Sequence, residues 1–357
     1  MKRLQIFGAT ASPYTQKMLA LMRYRRIPYY IHWGETKTRL DNLKIEAPKP
    51  VLLPVILLEN QEKEIVATTD STPMIRRLEE DYIERSVIPN DPALAFINYL
   101  LEDFGDEWIT KYMFHYRWHF EKDANKAGTI LPLIEFQNPL TEDQHEEIKN
   151  FIIERQTQRL WVVGSSNETA DLIESSFNRF LIAFNKHLIT SRFLLGDKPS
   201  SADFAFFGQI SQIVNFDPTP REICHKLAPR VIAWVELMND LSGLNSDENQ
   251  WVELEQIPES IKSILSEFGK LYAPLLLENA KAVQNESPDW EVNVDGAIWK
   301  QKTFSYQAKC LKWIKEEFCA LNENDQQRVK AFLSGTDCEQ ILLSLIHISE
   351  PTRHLDI

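Results

Sequence analysis

At 357 residues, 43% hydrophobic and 11% aromatic, the chain has enough apolar material for a large core and more than one folding unit. A net charge of −13 supplies no basic stripe, so neither nucleic acid nor an anionic membrane surface is an expected partner. Cys224, Cys310, Cys319 and Cys338 lie in the C-terminal half without CxxC spacing, which argues against a zinc site or disulfide framework and for a reducing cytoplasm.

The apolar segment after Met1-Lys2-Arg3 is too short for a signal peptide, and no run is long enough to span a bilayer. Residues 4–7 alternate as a short strand, and Pro13 suits the first turn of a helix with a stripe at Tyr14, Met18, Leu21 and Met22. Ser12 stands at that junction, where a helix N-terminus offers N–H groups to an anion. Residues 29–33 read as a second strand and residues 35–50 as an irregular helix plus loop. A third strand begins at Val55, after Pro54, and pairs as a hairpin with residues 64–67. Thr69 or Asp70 then caps a helix through Met74, Ile75 and Leu78.

The order is strand, helix, strand, helix, strand, strand, helix, a thioredoxin-like α/β unit (βαβαββα) over residues 1–85. A linker is expected at 86–91, an all-helical domain at 92–243, and a helical extension packed on it at 244–342. Residues 96–120 carry a stripe at Leu101, Phe104, Trp108, Tyr112 and His115. Glu107 and Lys111 read as a solvated ion pair. His115 and His119 stand one turn apart, but neither an HExxH pattern nor a third ligand supports a metal, and none is expected. Residues 343–357 resemble translated sequencing-adapter read-through, residue for residue from Leu343 to Arg353. They are set apart from the fold, and a natural terminus close to Leu342 is the expectation.

Four local motifs resemble those of the cytosolic glutathione transferase superfamily, over roughly the first two-thirds of the chain. Ser12-Pro13-Tyr14-Thr15 is similar to a serine-type active-site turn, standing where glutaredoxins have Cys-Pro-Tyr-Cys. Leu53-Pro54 is similar to the pre-strand cis-proline, Asp70-Ser71 to the Glu-Ser pair, and Ser200-Ser201-Ala202-Asp203 to the helix-capping Ser/Thr-x-x-Asp box.

The resemblance implies the glutathione transferase architecture and an enzyme that uses glutathione as co-substrate, with no metal. Ser12 would stabilise the glutathione thiolate for attack on a small hydrophobic electrophile. Tyr14, Leu53, Pro54, Asp70 and Ser71 would hold the tripeptide, with Lys49 reaching the glycine carboxylate because Leu52-Leu53 replaces the usual Lys-Val. The acceptor pocket is expected at Trp108, Tyr112, His115 and Tyr116, while Ser200 and Asp203 serve folding as a capping box. Family habit suggests a cytoplasmic homodimer engaged in detoxification.

Each residue also has a plainer reading. Ser12 suits a simple N-cap, Tyr14 and the aromatic stripe suit core packing, and Asp70-Ser71 suits a capped helix. A non-catalytic binding or scaffold protein that kept the fold is the second functional reading. Thiol-disulfide exchange ranks last, since neither position 12 nor 15 is cysteine.

Overall fold

The computed structural model describes residues 3–245 and 250–343. Of the adapter-like stretch, only Leu343 falls within them.

The N-terminal part is a four-stranded mixed sheet in the order β2-β1-β3-β4, built from β1 (Leu4–Gly8), β2 (Tyr29–Trp33), β3 (Val55–Glu59) and β4 (Ile65–Thr68). β1 runs parallel to β2 and antiparallel to β3, with Phe7 opposite Val55. Side chains alternate across such a sheet, and the two faces take different partners. Ile6 and Ile56 join a core with Met18 and Met22 of α1 (Pro13–Arg25) and Met74 and Leu78 of α3 (Ser71–Asp81). Phe7 and Val55 meet Leu40 of α2 (Thr36–Asn42) on the other side.

Helices follow. α4 (Pro92–Asp103) and α5 (Thr110–His119) are joined through a π-helical turn over Phe104–Ile109, so the long apolar stripe spans two helices and a turn rather than one helix. α6 (Glu121–Glu135) and α7 (Glu142–Thr157) form a hairpin, then come α8 (Ala170–His187), the buried α9 (Ser201–Asn215), α10 (Pro218–Leu227) and α11 (Pro229–Met238). At the start of α9, Asp203 accepts hydrogen bonds from the Ser200 and Leu194 N–H groups, each at 2.9 Å.

The extension is not wholly helical. α12 (Glu259–Glu267) and α13 (Ala273–Gln284) flank a second π turn, Phe268–Tyr272. They are followed by an antiparallel pair, β5 (Asp289–Val294) and β6 (Ala297–Lys302), then α14 (Ser305–Cys319), α15 (Glu323–Leu333) and α16 (Glu339–Leu343). The departure has a local cause: Asp295 (φ 51°) and Gly296 (φ 81°) both adopt positive φ, as a two-residue hairpin turn requires. The hairpin docks through the fully buried Trp299.

Candidate active site

Pairing of Phe7 with Val55 sets Pro54 level with Gly8, four residues before Ser12. The Leu53–Pro54 peptide bond is cis. The Thr69 hydroxyl donates to the Leu52 carbonyl at 2.8 Å, drawing Asp70 and Ser71 beside that bond. Ser12, Leu53-Pro54 and Asp70-Ser71 therefore gather at one edge of the sheet, where α1 and α3 begin.

Ser12 caps α1, its Oγ accepting from the Thr15 N–H at 3.3 Å. That bond uses a lone pair and leaves the hydroxyl hydrogen able to donate to an anion at the helix mouth. The Tyr14 hydroxyl is directed elsewhere, donating to the Asp106 carbonyl at 2.8 Å. Asp70 precedes α3 with φ 78°. Strained backbone of this kind persists only where the surroundings enforce it. Burial raises the Asp70 carboxyl, opposed by Lys17, by the Thr72 N–H of α3 and by Lys309.

Beneath the site lies a charged network that the sequence reading did not identify. Lys17 Nζ, fully buried, donates to Asp106 Oδ2 at 2.6 Å, Glu102 Oε1 at 2.8 Å and Ser71 Oγ at 3.0 Å. Ser201 Oγ donates to Glu102 Oε2 at 2.6 Å, so α1, α3, α4 and α9 meet at these groups. Burial pulls the Lys17 ammonium down, but Asp106 and Glu102 outweigh it and the pKa rises. Burial likewise opposes the Glu102 carboxylate, and Lys17 outweighs it, leaving the pKa low. The detectable signal was Glu102 and Asp106, four apart, with Asp103 and Glu107 beside them, inside the aromatic-rich run 96–120. A pair of buried acids there demands a cation.

Several expected site residues lie elsewhere. Trp108, Tyr112, His115 and Tyr116 are at most 1% exposed and belong to the core, so the expected acceptor pocket is corrected. The extension supplies the reason: Trp108 lies 5.8 Å from the Tyr272 ring and 5.9 Å from that of Trp299. Tyr112 Oη takes a 2.6 Å hydrogen bond from Trp108 Nε1 and sits 2.6 Å from Ser176 Oγ. Tyr116 packs on Phe120 and Phe177. His115 Nδ1 lies 2.8 Å from Ser165 Oγ, and burial, with His119, lowers its pKa to about 3. Among the described residues, no three His, Cys, Asp or Glu side chains converge as metal ligands.

Lys49 is exposed, 3.4 Å from Glu46, beside a surface cavity of about 430 Å³ that includes Ile65 and Ala67. A second cavity, about 240 Å³, opens between Thr10, Gln16, Gln212 and Asn239. Neither is lined by the four aromatic residues. Glu107 and Lys111 are not a solvated pair: Lys111 is 2% exposed, and burial lowers its pKa while raising that of Glu107.

A thioredoxin-like sheet with these residues at two helix N-termini, followed by a mostly helical domain, defines the class of fold. Residues 6–86 match the family described as glutathione S-transferase, N-terminal domain, and residues 156–237 match glutathione S-transferase, C-terminal domain. Those two stretches therefore carry a glutathione S-transferase N-terminal and a C-terminal domain.

Among solved structures, a glutathione transferase family member from Pseudomonas fluorescens pf-5 with two glutathione bound is 14% identical. Its alignment covers 70% of this chain and 93% of that one, with a TM-score of 0.42. A glutathione S-transferase from Rhodospirillum rubrum is 17% identical, covering 66% and 86% respectively, with a TM-score of 0.41. A glutathione transferase from Pseudomonas putida with one glutathione disulfide bound per subunit is 16% identical, covering 66% and 90%, with a TM-score of 0.38. No curated protein matches the chain. No helix among the described residues is long and apolar enough to cross a membrane.

Proposed function

We propose that the protein is a glutathione transferase in which Ser12 stabilises the glutathione thiolate for attack on a small hydrophobic electrophile. The observation that carries this reading is the Ser12 hydroxyl at the α1 N-terminus, on the same edge as cis Leu53–Pro54 and Asp70-Ser71. A thiol with an ordinary pKa near ~8.5 needs about 3 kcal/mol to fall by about two units. A hydrogen bond from Ser12 to the charged sulfur contributes ~1.5–3 kcal/mol, and the helix N-terminus adds ~0.3–1 kcal/mol. Together they supply ~2–4 kcal/mol, which reaches the required shift in the upper part of that range, and Ser12 itself attacks nothing.

Leu53 lies outside the paired residues of β3, so its backbone would pair with the cysteinyl segment of the tripeptide. Asp70 would take the γ-glutamyl ammonium, and the α3 N–H groups with Ser71 its carboxylate. Lys49 would have to leave Glu46 to reach the glycine end. A cytoplasmic homodimer completes the proposal; the free thiols of all four cysteines suit that compartment, and light scattering checks the assembly. Titration with glutathione and assay on halo-aromatic electrophiles test the activity: absence of binding at about millimolar glutathione overturns it.

One observation favours the second reading, a non-catalytic protein of the same fold. Ser71 is 6% exposed, and its hydroxyl is already engaged by Lys17. Under that reading Ser12→Ala leaves glutathione binding and the cellular role unchanged. Thiol-disulfide exchange has no thiol in the α1 turn to carry it; Ser12→Cys is the change expected to create such activity.

A further inference from the structure

Resting on the reading of Ser12 as the thiolate-stabilising group, we propose that Arg117 is a positioning residue for it: locked on Asp217, its guanidinium holds the turn that presents the Ser12 hydroxyl. The turn runs from Ala9 to Ser12 between β1 and α1, closed by the Ser12 N–H on the Ala9 carbonyl at 3.1 Å. Ala9, Thr10 and Ala11 offer little apolar surface with which to anchor it. Its anchors come largely from the helical domain. Arg117 Nη1, on α5, donates to the Ala11 carbonyl at 3.1 Å, and Gln212 Nε2, on α9, reaches the Thr10 carbonyl at 3.4 Å. Gln16, on α1 itself, donates to that same Thr10 carbonyl at 2.8 Å. Just past Ser12, a Cβ on Gly208 of α9 would stand 2.5 Å from the Pro13 carbonyl, so α9 lies directly against the first turn of α1.

Arg117 is itself held in one pose. Nε donates to Asp217 Oδ1 at 2.8 Å, while Nη2 donates to Asp217 Oδ2 at 3.0 Å and to Gln212 Oε1 at 3.2 Å. The Phe216 ring centroid lies 4.5 Å from Cζ, and both charged residues are buried. A planar guanidinium clasped on a carboxylate in this way leaves its remaining N–H groups aimed in fixed directions, and one of them meets Ala11. Lysine supplies a point charge and cannot span Asp217, Gln212 and Ala11 at once. Because Asp217 compensates the charge, Arg117 delivers position to Ser12 and little net field.

The Ala11 carbonyl and the Ser12 N–H belong to one planar peptide unit, so a grip on the carbonyl orients the plane from which Ser12 departs. On its outer side the turn borders the cavity of about 240 Å³ lined by Thr10, Gln16 and Gln212. Packing does not fix it there, and the hydrogen bonds do. The demand on Ser12 is strict: a catalytic donor must sit within about 0.5 Å of its productive place, and a displacement of about 1 Å can cost ~100-fold.

The test follows the thiolate absorbance of bound glutathione across pH in Arg117→Lys, Ser12→Ala and the double variant of the two. Arg117→Lys keeps a cation on Asp217 and should move the thiolate midpoint up by about one unit, roughly a tenfold loss of thiolate at neutral pH. KM for glutathione should change less than about twofold. In the Ser12→Ala background the same change should add nothing, because its effect passes through the missing hydroxyl. The Arg117→Met, Asp217→Asn double variant removes the pair without leaving a lone buried charge and should give the same shift. Gly164→Ala, which disturbs packing far from the turn, should titrate as the parent chain does. Hydrogen exchange without glutathione reads the turn directly: the Ser12 amide should exchange at least about tenfold faster in Arg117→Lys, referenced to α13. Exchange equal to that of the parent, or losses from Ser12→Ala and Arg117→Lys that add in full, overturns the positioning role. Faster exchange in Arg117→Lys, with no glutathione bound by the parent chain at about millimolar ligand, upholds the clasp and overturns the glutathione reading. Glutathione bound and ionised normally by Arg117→Lys, with exchange unchanged, does the reverse.

Discussion

Ser12 and Lys17 lie five residues apart on α1, yet their substitutions should fail in different ways. In the proposed role, Ser12→Ala would remove one hydrogen bond to a charged sulfur, worth ~1.5–3 kcal/mol, so conjugation at neutral pH should fall about 10- to 100-fold. The thiolate absorbance of bound glutathione should titrate at correspondingly higher pH. The same change deletes the α1 cap, costing ~1 kcal/mol of stability. Ser12→Thr, which keeps both hydroxyl and cap, should recover most of each loss. Lys17→Met leaves Glu102 and Asp106 buried without their cation, and breaking such a pair typically costs ~3–5 kcal/mol. Unpaired carboxyls escape part of that cost by protonation, so the loss in urea stability should be smaller at pH 5 than at pH 8. An equal loss at both pH values would contradict the assigned charges.

At the level of elements, the β5–β6 hairpin is seated by one close approach. Gly164 has φ 70°, and a Cβ there would stand 2.1 Å from Trp299 Cζ2. Gln301 Nε2 donates to the Val162 carbonyl at 2.7 Å alongside it. Gly164→Ala combines a strained backbone with overpacking, and a loss of ~2–4 kcal/mol is expected, read as a lower thermal midpoint. An unchanged midpoint would mean that the hairpin can shift without cost. The order of the N-terminal elements was legible because proline, glycine and capping residues punctuate it: Pro13 opens α1, Gly34 follows β2 and Pro54 precedes β3. The hairpin was legible too, in the alternation of Asp289–Val294 before Asp295-Gly296, although the extension was expected to be helical throughout. The aromatic stripe at Trp108 and Tyr112 was not decidable locally. Periodicity says which face of a helix is apolar, and only Tyr272 and Trp299, far along the chain, decide whether that face is closed.

Over the whole molecule, one hydrophobic core runs from Ile6 in the first strand to Ile341 in the last helix. The extension is built into it: Phe268 lies 5.6 Å from Phe104, and Tyr272 and Trp299 both cover Trp108. Arg328 of α15 reaches back to Asp91, just before α4, at 2.8 Å and to Glu255 at 2.7 Å. Removing residues 244–342 would expose the faces of Phe104 and Trp108 together with the partners that close them. Each fully buried aromatic contributes ~1.5–3 kcal/mol, so losing Phe268, Tyr272 and Trp299 alone removes roughly 5–9 kcal/mol. That is comparable to the entire stability of a typical domain, ~5–15 kcal/mol. Residues 1–243 should therefore keep helical far-UV dichroism, lose near-UV dichroism and bind a hydrophobic dye, whereas the full chain unfolds in one transition monitored by either signal. A truncated chain with native near-UV dichroism and a single sharp transition would show that the first two-thirds closes its own core, and that the extension is an addition to the fold and not part of it.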